Sequence, residues 1–247
     1  MQANISLDKQ GGPARTFSEL ARRAQIVDVA IKVVATAGFG NASFARIAKE
    51  AGLSSTGIIS YNFDGKDDLM REVIAQVLRV AEAYIQPRID KAVSARAKLR
   101  AYIEAQTSFL VDFPNHLRAL VEVFGNLPRD GADRALFLAQ MDTVLSFHTD
   151  YIRHAQAAGE FRDFDPRVMV IAIQGAIDAV VLRRTREPDL DVVLCGHELA
   201  ELFDLATRKN ESSPVRASPK LPSSAPRASS ALKSKKRPAF AACLPGS

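Results

Sequence analysis

Tryptophan is absent from this sequence and cysteine is scarce. The 247 residues include two cysteines, Cys195 and Cys243. Two cysteines cannot form the dense disulfide framework of a small secreted scaffold, and neither has a second Cys or His at the spacing of a zinc finger. We therefore expect neither a disulfide scaffold nor a metal site.

No run of apolar residues is long enough to cross a bilayer. The most apolar stretch, 168–182, contains Gln174 and Asp178, whereas a membrane span needs roughly 20 apolar residues. The first 25 residues hold no apolar segment typical of a signal peptide. We expect a protein without a membrane anchor, located in the cytoplasm.

The motifs of common enzyme chemistry are missing as well. The sequence has no glycine-rich phosphate loop, no Gly-x-Ser-x-Gly turn and no His-Glu-x-x-His metal motif. We expect a protein that is not an enzyme and that uses no cofactor.

Positive charge is concentrated at one end of the chain. The net charge is +5, but residues 209–247 carry +7 and the residues before them carry −2. This end is also rich in Ser, Pro and Ala, so it cannot bury enough apolar surface to form a core. We expect a disordered basic tail over 209–247 and a flexible arm over 1–17.

Between these ends, apolar residues recur at the three- and four-residue spacing of α-helices. The spacing and its Gly and Pro interruptions predict an all-α fold with nine helices and no sheet. The predicted extents are about 26–37, 44–51, 55–62, 66–86, 95–111, 115–124, 133–158, 166–186 and 193–208.

The segment 47–54 has the sequence of a helix-turn-helix. Gly52 allows the positive φ of a sharp turn between two short helices. The second helix would then present small polar side chains that suit base edges and phosphates in a DNA major groove. The apolar contact beneath both helices would come from Ile47, Leu53 and either Ile58 or Ile59.

This region resembles the TetR family of transcriptional regulators over about 50 consecutive positions. The run 57–63 is most similar to the branch that includes the betaine-biosynthesis repressors. The resemblance implies a three-helix DNA-binding domain over 18–65 and a larger helical effector-binding and dimerisation domain over 66–208. The matching residues are Arg23, Ile26, Ala30, Phe39, Ser43, Ile47, Ala48, Ala51, Gly52, Leu53, Ser54, Gly57, Ile59, Tyr61, Phe63, Lys66 and Leu69.

The turn before the second helix departs from the family pattern. Family members usually have Ser-x-Gly before the aliphatic residue, whereas this chain has Ser-Ser-Thr-Gly over 54–57. If the turn is one residue longer, Ile59 is buried. If it has the usual length, Ile58 is buried and every outward residue shifts by one, so the sequence leaves both registers open.

Contacts to double-stranded DNA are expected from the helix-turn-helix and its flanks. Cations would bind phosphates, and the second helix would read bases. The expected phosphate contacts are Arg22, Arg23, Arg46, Lys49 and, from the family resemblance, Lys66. The expected base-reading residues are Ser55, Thr56, Gly57, Ser60, Tyr61 and Asn62. The predicted interface is completed by Ser43, Phe44 and Ser54.

Two late helices predict a homodimer. The helix 166–186 is apolar on both sides, which indicates that both sides are buried. Together with 193–208 it would form the four-helix dimer interface that the family uses. The alternative is that both sides belong to the core of a single domain. The expected interface residues are Ile173, Ile177, Val180, Val181, Leu199, Leu202 and Phe203.

The larger domain is also expected to bind an effector. Its aromatic and apolar residues, with a few polar groups, suit a small, mainly apolar molecule. The same residues could instead be core. The candidates are Phe109, Phe113, His116, Leu120, Phe124, Met141, Leu145, Phe147, His148 and Tyr151.

Together these features predict a ligand-responsive, dimeric transcriptional regulator, foremost a repressor that its effector releases from a palindromic operator. The alternative is an all-helical protein-interaction module that touches nucleic acid only through its basic tail. The two functions differ in where DNA is bound, either within 43–66 or beyond 209.

Overall fold

A computed structural model describes residues 16–209, which form nine α-helices and no strand. This confirms the predicted all-α fold. The predicted arm and tail lie outside the described residues, apart from 16–17 and 209. The helices are α1 (Phe17–Ala37), α2 (Phe44–Glu50), α3 (Gly57–Asn62), α4 (Gly65–Asp90), α5 (Ala95–Asp112), α6 (Pro114–Asn126), α7 (Ala132–Ala157), α8 (Pro166–Arg186) and α9 (Val192–Thr207).

Helix α4 is longer than predicted, because it continues past Pro87. Proline removes one backbone donor and normally ends a helix. Side chains bridge this last turn instead: the Gln86 amide donates to the Asp90 carboxylate at 2.8 Å, and the Arg88 guanidinium donates to the carbonyl of Tyr84. Within the part of the chain that the structure describes, no helix is both long and apolar enough to span a bilayer.

The described chain divides into two compact units. The first comprises residues 16–81 and 109–137, and the second comprises 82–108 and 138–209. Helices α4, α5 and α7 are each divided between the units, with one end in the first unit and the other end in the second. The helix-turn-helix therefore shares a core with α6, which the sequence assigned to the larger domain.

The core of the first unit is formed where α6 packs along α1. Buried aliphatic side chains line both helices, since each carries apolar residues at helical spacing. From α1 these are Ile26, Val27, Ala30, Ile31 and Val34, and from α6 they are Leu117, Leu120 and Val123. Each of these side chains is at most 7% exposed. This packing forms the apolar base on which α2 and α3 lie.

The second unit contains a close helix crossing between α9 and α5. Gly196 is buried, and a Cβ at this position would overlap the hydroxyl of Thr107 and lie 3.1 Å from its Cβ. The Thr107 side chain is fully buried, and its hydroxyl donates to the carbonyls of Ile103 and Glu104. Its β-branched side chain has little rotamer freedom in a helix, so it cannot easily make room.

We expect Gly196→Ala to lower the free energy of unfolding by about 1–3 kcal/mol, the usual cost of overpacking a core. Gly125→Ala is the matched control, because a Cβ at this helical glycine meets no atom within 4 Å. The control should be neutral or should stabilise by up to about 1 kcal/mol. Urea denaturation measures both values, and an unchanged midpoint for Gly196→Ala would show that the crossing is loose.

Candidate nucleic-acid interface

Helix α2 begins at a side-chain cap. The Ser43 hydroxyl accepts a hydrogen bond from the backbone N–H of Arg46 at 3.3 Å, which satisfies one of the free donors at the start of a helix. Ile47 and Ala48 are buried beneath the helix, whereas Arg46 and Lys49 are exposed on its outer side. The apolar face of α2 is thereby anchored, and its cationic face is left available.

A tight turn follows α2, and three exposed residues connect it to α3. Gly52 has φ +64°, a left-handed conformation that glycine adopts at little cost. The backbone N–H of Leu53 donates to the carbonyl of Ala48 at 2.9 Å, which closes the helix end. Residues 54–56 follow in exposed positions before α3 starts at Gly57.

The register of α3 is settled by burial. Ile59 is fully buried, whereas Ile58 is partly exposed. The turn is therefore the longer of the two alternatives. The predicted base-reading residues that are exposed in this register are Ser55, Thr56, Gly57, Ser60 and Tyr61.

Asn62 is not among the exposed residues, so its prediction as an outward base reader is corrected. It is 8% exposed, and its side-chain amide donates to the carbonyl of Ile58 at 2.8 Å. The reason is helical geometry, because a residue three positions after buried Ile59 lies on the same face.

Arg23, predicted to contact phosphate, is held inside the first unit instead. Its guanidinium donates to the backbone carbonyl of Asn62 and to the Glu72 carboxylate at 3.0 Å, and it lies 4.0 Å from the ring centre of Phe63. Only 14% of the side chain is exposed. Arg23 therefore ties α1 to the end of α3 and to α4, and a phosphate would have to compete with all three contacts.

Glu72 is the anionic partner in this cluster. Burial alone would raise the pKa of its carboxyl, but hydrogen bonds from Arg79 and Arg23 outweigh burial and hold the pKa below its ordinary value. Arg79 donates to the second carboxylate oxygen at 2.7 Å. Glu72 is thus charged at neutral pH, and removing both Arg23 and Arg79 would leave its partly buried charge uncompensated.

The remaining predicted phosphate contacts lie in two kinds of environment. Arg22, Arg46 and Lys49 are exposed. Lys66 is half-buried. Its ammonium donates to the backbone carbonyl of Phe39 at 2.6 Å and lies 4.1 Å from the centre of the Phe39 ring. Of the three residues that complete the predicted interface, Ser43 and Ser54 are exposed and Phe44 is half-buried.

Tyr61, the most exposed aromatic of α3, has a partner in the structure. Its hydroxyl donates to the Glu19 carboxylate at 3.0 Å, and 76% of the residue is exposed. Glu19 also completes a capping box with Thr16 at the start of α1. These contacts bring the first turn of α1 to the edge of the exposed face of α3.

A cavity of about 110 Å³ lies within the second unit. Of the predicted effector contacts, Phe147, His148 and Tyr151 line it. Met141 is buried on the same helix, and Leu145 lines a separate surface groove. The other predicted contacts belong to the first unit and do not line this cavity: Phe109, Phe113, His116, Leu120 and Phe124.

Sequence reasoning missed the polar residues of the cavity wall, which are Glu82, Gln86, Asp90, Lys98, Tyr102 and Gln174. The Tyr102 hydroxyl donates to Gln174 at 3.1 Å, and the Gln174 amide donates to Asp178 at 2.9 Å. Gln174 and Asp178 interrupt the most apolar run of the sequence, which was the signal that could have found them. Buried polar groups usually form connected networks of this kind.

Burial shifts the pKa values of His148 and Tyr151 in the cavity wall and of Asp178, the hydrogen-bond partner of Gln174. It lowers the pKa of His148 to about 4, so the imidazole is neutral at pH 7. Burial, with a smaller contribution from Glu160, raises the pKa of Tyr151 to about 12. Burial also raises the pKa of Asp178 to about 6, against the hydrogen bond from Gln174. His148 and Tyr151 therefore present neutral rings to the cavity.

Three of the four predicted dimer residues on α8 are corrected by burial. Ile173, Ile177 and Val181 are 3%, 1% and 6% exposed within a single chain, so they have no surface left for a second copy. Val180, Leu199 and Phe203 are partly exposed, and Leu202 is 59% exposed. The exposed apolar residues of α8 lie on its opposite face and include Val168, Ile171 and Leu182.

The first unit contains a helix-turn-helix, because a tight turn joins α2 to α3 and because α3 presents a face of small polar side chains. Residues 26–73 match the bacterial regulatory proteins of the tetR family, and residues 92–182 match the tetracyclin repressor-like C-terminal domain. The chain belongs to the TetR family.

The curated relatives that match are HTH-type transcriptional regulators. BetI 1 of Chromohalobacter salexigens is 37% identical over 84 residues, which are 34% of this chain and 41% of the relative. BetI of Stenotrophomonas maltophilia is 37% identical over 87 residues, which are 35% of this chain and 44% of the relative. The match thus spans less than half the length of these relatives.

Solved structures share the fold over most of the chain. A transcriptional regulator of Saccharomonospora viridis in complex with choline has a TM-score of 0.69 and 21% identity, covering 77% of this chain and 100% of that one. The fatty acid degradation regulator FadR of Bacillus halodurans has a TM-score of 0.65 and 20% identity, covering 79% and 97%. At this identity the likeness is one of fold.

The burial of Ile59 can be tested with a matched pair of substitutions. We expect Ile59→Ala to lower the free energy of unfolding by about 2–5 kcal/mol, because it leaves a cavity in the core. Ile58→Ala should cost about 1 kcal/mol or less, since its side chain is already partly in solvent. Chemical denaturation measures both, and equal losses would contradict the register described here.

Proposed function

We propose that this chain is a dimeric, ligand-responsive transcriptional regulator that binds a palindromic DNA operator through α2 and α3 and acts as a repressor in the cytoplasm. The observation that carries the proposal is the exposed, small polar face of α3, fixed by the burial of Ile59. A face of this kind suits hydrogen bonding to base edges in a major groove.

The proposed DNA contacts divide by chemistry. Exposed Arg22, Arg46 and Lys49, with the Ser43 hydroxyl, would bind phosphates and orient the chain on DNA. The bases would be read by Ser55, Thr56, Ser60 and Tyr61, which lie on the exposed face of α3 and the turn before it. The Tyr61 hydroxyl would then exchange Glu19 for a group on DNA.

Gly57 offers a direct test, because the folded chain does not need a glycine there. A Cβ at this position meets only the Ser55 hydroxyl, at an ordinary 3.4 Å, and Gly57 lies at the exposed start of α3. We therefore infer that its lack of a side chain serves close approach to DNA.

The experiment begins with selection of binding sequences from random duplex DNA by the full-length chain, and a palindrome should be enriched. Gly57→Ala should then weaken binding to that site about tenfold, the scale of losing one good contact, while thermal stability stays equal or rises. Gly125→Ala, the same substitution at an exposed position of α6, should leave affinity unchanged. Enrichment of no sequence, with DNA bound only through the basic tail, would favour the protein-interaction alternative.

The proposed dimer interface uses the exposed apolar faces of α8 and α9. These two helices are neighbours that contact each other in the second unit. On α8, Val168, Ile171 and Leu182 are 62%, 57% and 43% exposed. On α9, Leu194 and Leu202 are 55% and 59% exposed. Large exposed apolar side chains on two neighbouring helices are typical of a subunit interface.

We expect Ile171→Asp to convert the dimer to a monomer, because it places a charge in an apolar interface. Operator affinity should fall with it, since two half-sites can no longer be bound together. Leu136→Asp is the matched control, because Leu136 is 68% exposed on α7 and lies outside this face. Sedimentation measures the mass of each variant, and a dimeric Ile171→Asp chain would contradict the assignment.

The proposed effector site is the cavity of the second unit. A volume of about 110 Å³, walls that are mainly apolar and aromatic, and a few polar groups suit a small molecule. The proposal is supported by the structural neighbour from Saccharomonospora viridis, which is in complex with choline, a small ligand. The effector would favour the chain's low-affinity state, and the size of the response equals its differential affinity for the two states.

A further inference from the structure

The turn between α1 and α2 determines where the DNA-facing helices begin. It spans residues 38–43 and includes Gly38 at φ +82° and Phe39. Within the turn, the Ala42 N–H donates to the Phe39 carbonyl at 3.2 Å, and the Ser43 N–H donates to the Asn41 carbonyl at 3.0 Å. Ser43 then caps α2, so a shift of this turn displaces α2.

Two charged side chains from outside the helix-turn-helix hold the same residue of this turn. The Lys66 ammonium, at the start of α4, donates to the carbonyl of Phe39 at 2.6 Å. The Glu122 carboxylate, on α6, accepts from the N–H of Phe39 at 3.2 Å. The positive ammonium thus binds the carbonyl oxygen, and the negative carboxylate binds the N–H group. Such charge-assisted hydrogen bonds are stronger than neutral ones.

Glu122 is the more distant of the two in sequence, 83 positions from Phe39. It is half-buried, and the Cβ position of Gly38 is 3.6 Å from its carboxylate. The hydrogen bond is lost when its donor and acceptor separate beyond about 3.5 Å, so a shift of α6 by less than 1 Å would release Phe39.

We propose that Glu122 is a positioning residue for DNA binding, which makes the placement of α2 and α3 depend on the position of α6. The inference rests on the proposed function, because it assigns to α6 control over the surface that binds DNA. The proposal predicts that DNA affinity depends on the length of the Glu122 side chain and on its acceptor oxygen, although Glu122 contacts none of the proposed DNA-binding residues.

Three substitutions separate position from charge. Glu122→Asp keeps the charge but withdraws the carboxylate by one carbon–carbon bond, about 1.5 Å, and should weaken operator binding about tenfold. Glu122→Gln keeps an acceptor oxygen at the same reach and should stay within about threefold of wild type. Glu122→Ala removes the acceptor and should be at least as weak as Glu122→Asp.

The direction of the Glu122→Ala effect is informative by itself. Removing a negative charge from a protein that binds a polyanion favours tighter binding on general electrostatic grounds, whereas loss of positioning weakens it. Asp130→Ala is the charge-matched control, because Asp130 is an exposed carboxylate in the same unit. This control should bind the operator as tightly as wild type or more tightly.

Operator affinity is measured well below the melting temperature of each full-length variant, beside amide hydrogen exchange of Phe39. The exchange should be faster in Glu122→Ala and Glu122→Asp than in wild type. The proposal is overturned if folded Glu122→Asp binds the operator as wild type does, or if exchange of Phe39 is unchanged. Should Glu122→Ala fail to fold, the Asp and Gln variants still decide. A wild-type chain that binds no operator would instead refute the proposed function.

Discussion

The burial of Ile59 decides which way α3 faces, and the proposed DNA surface follows from it. Helix α3 has only six residues, too few to be stable by itself, because helix formation begins with an unfavourable nucleus. Its conformation therefore depends on being anchored. With Ile59 and Phe63 in the core, the side chains of Ser60 and Tyr61 are placed at the surface.

Charged side chains hold this anchored helix in place. Arg23 joins α1 to the carbonyl at the end of α3 and to Glu72 of α4, and Lys66 and Glu122 hold Phe39 before α2 begins. Partly buried ion pairs and charge-assisted bonds contribute orientation more dependably than net stability. The helix-turn-helix is thus oriented by polar contacts over an apolar core, and DNA would meet a preformed surface.

The second unit combines an apolar cavity with a polar network. At its wall Tyr102 donates a hydrogen bond to Gln174, which in turn donates to Asp178, while burial keeps His148 uncharged. Glu82, Asp90 and Lys98 also line the cavity, so a ligand would meet charged groups as well as apolar walls and hydrogen-bonding groups. Since α8 supplies both Gln174 to this network and Ile171 to the exposed apolar face, one helix would serve effector binding and dimerisation.

The sequence by itself determined the features that depend on neighbours along the chain. Helical periodicity, the Ser43 cap and the Gly52 turn are local, so the nine helices and the helix-turn-helix could be predicted. Tertiary structure alone decided the features that depend on distant partners. Arg23 looks like a free cation until Glu72 is placed beside it, and Asn62 looks outward until Ile59 is buried. On α8 both faces are apolar, so periodicity could not say which one the chain keeps for itself; only packing within the second unit buries Ile173 and leaves Ile171 exposed.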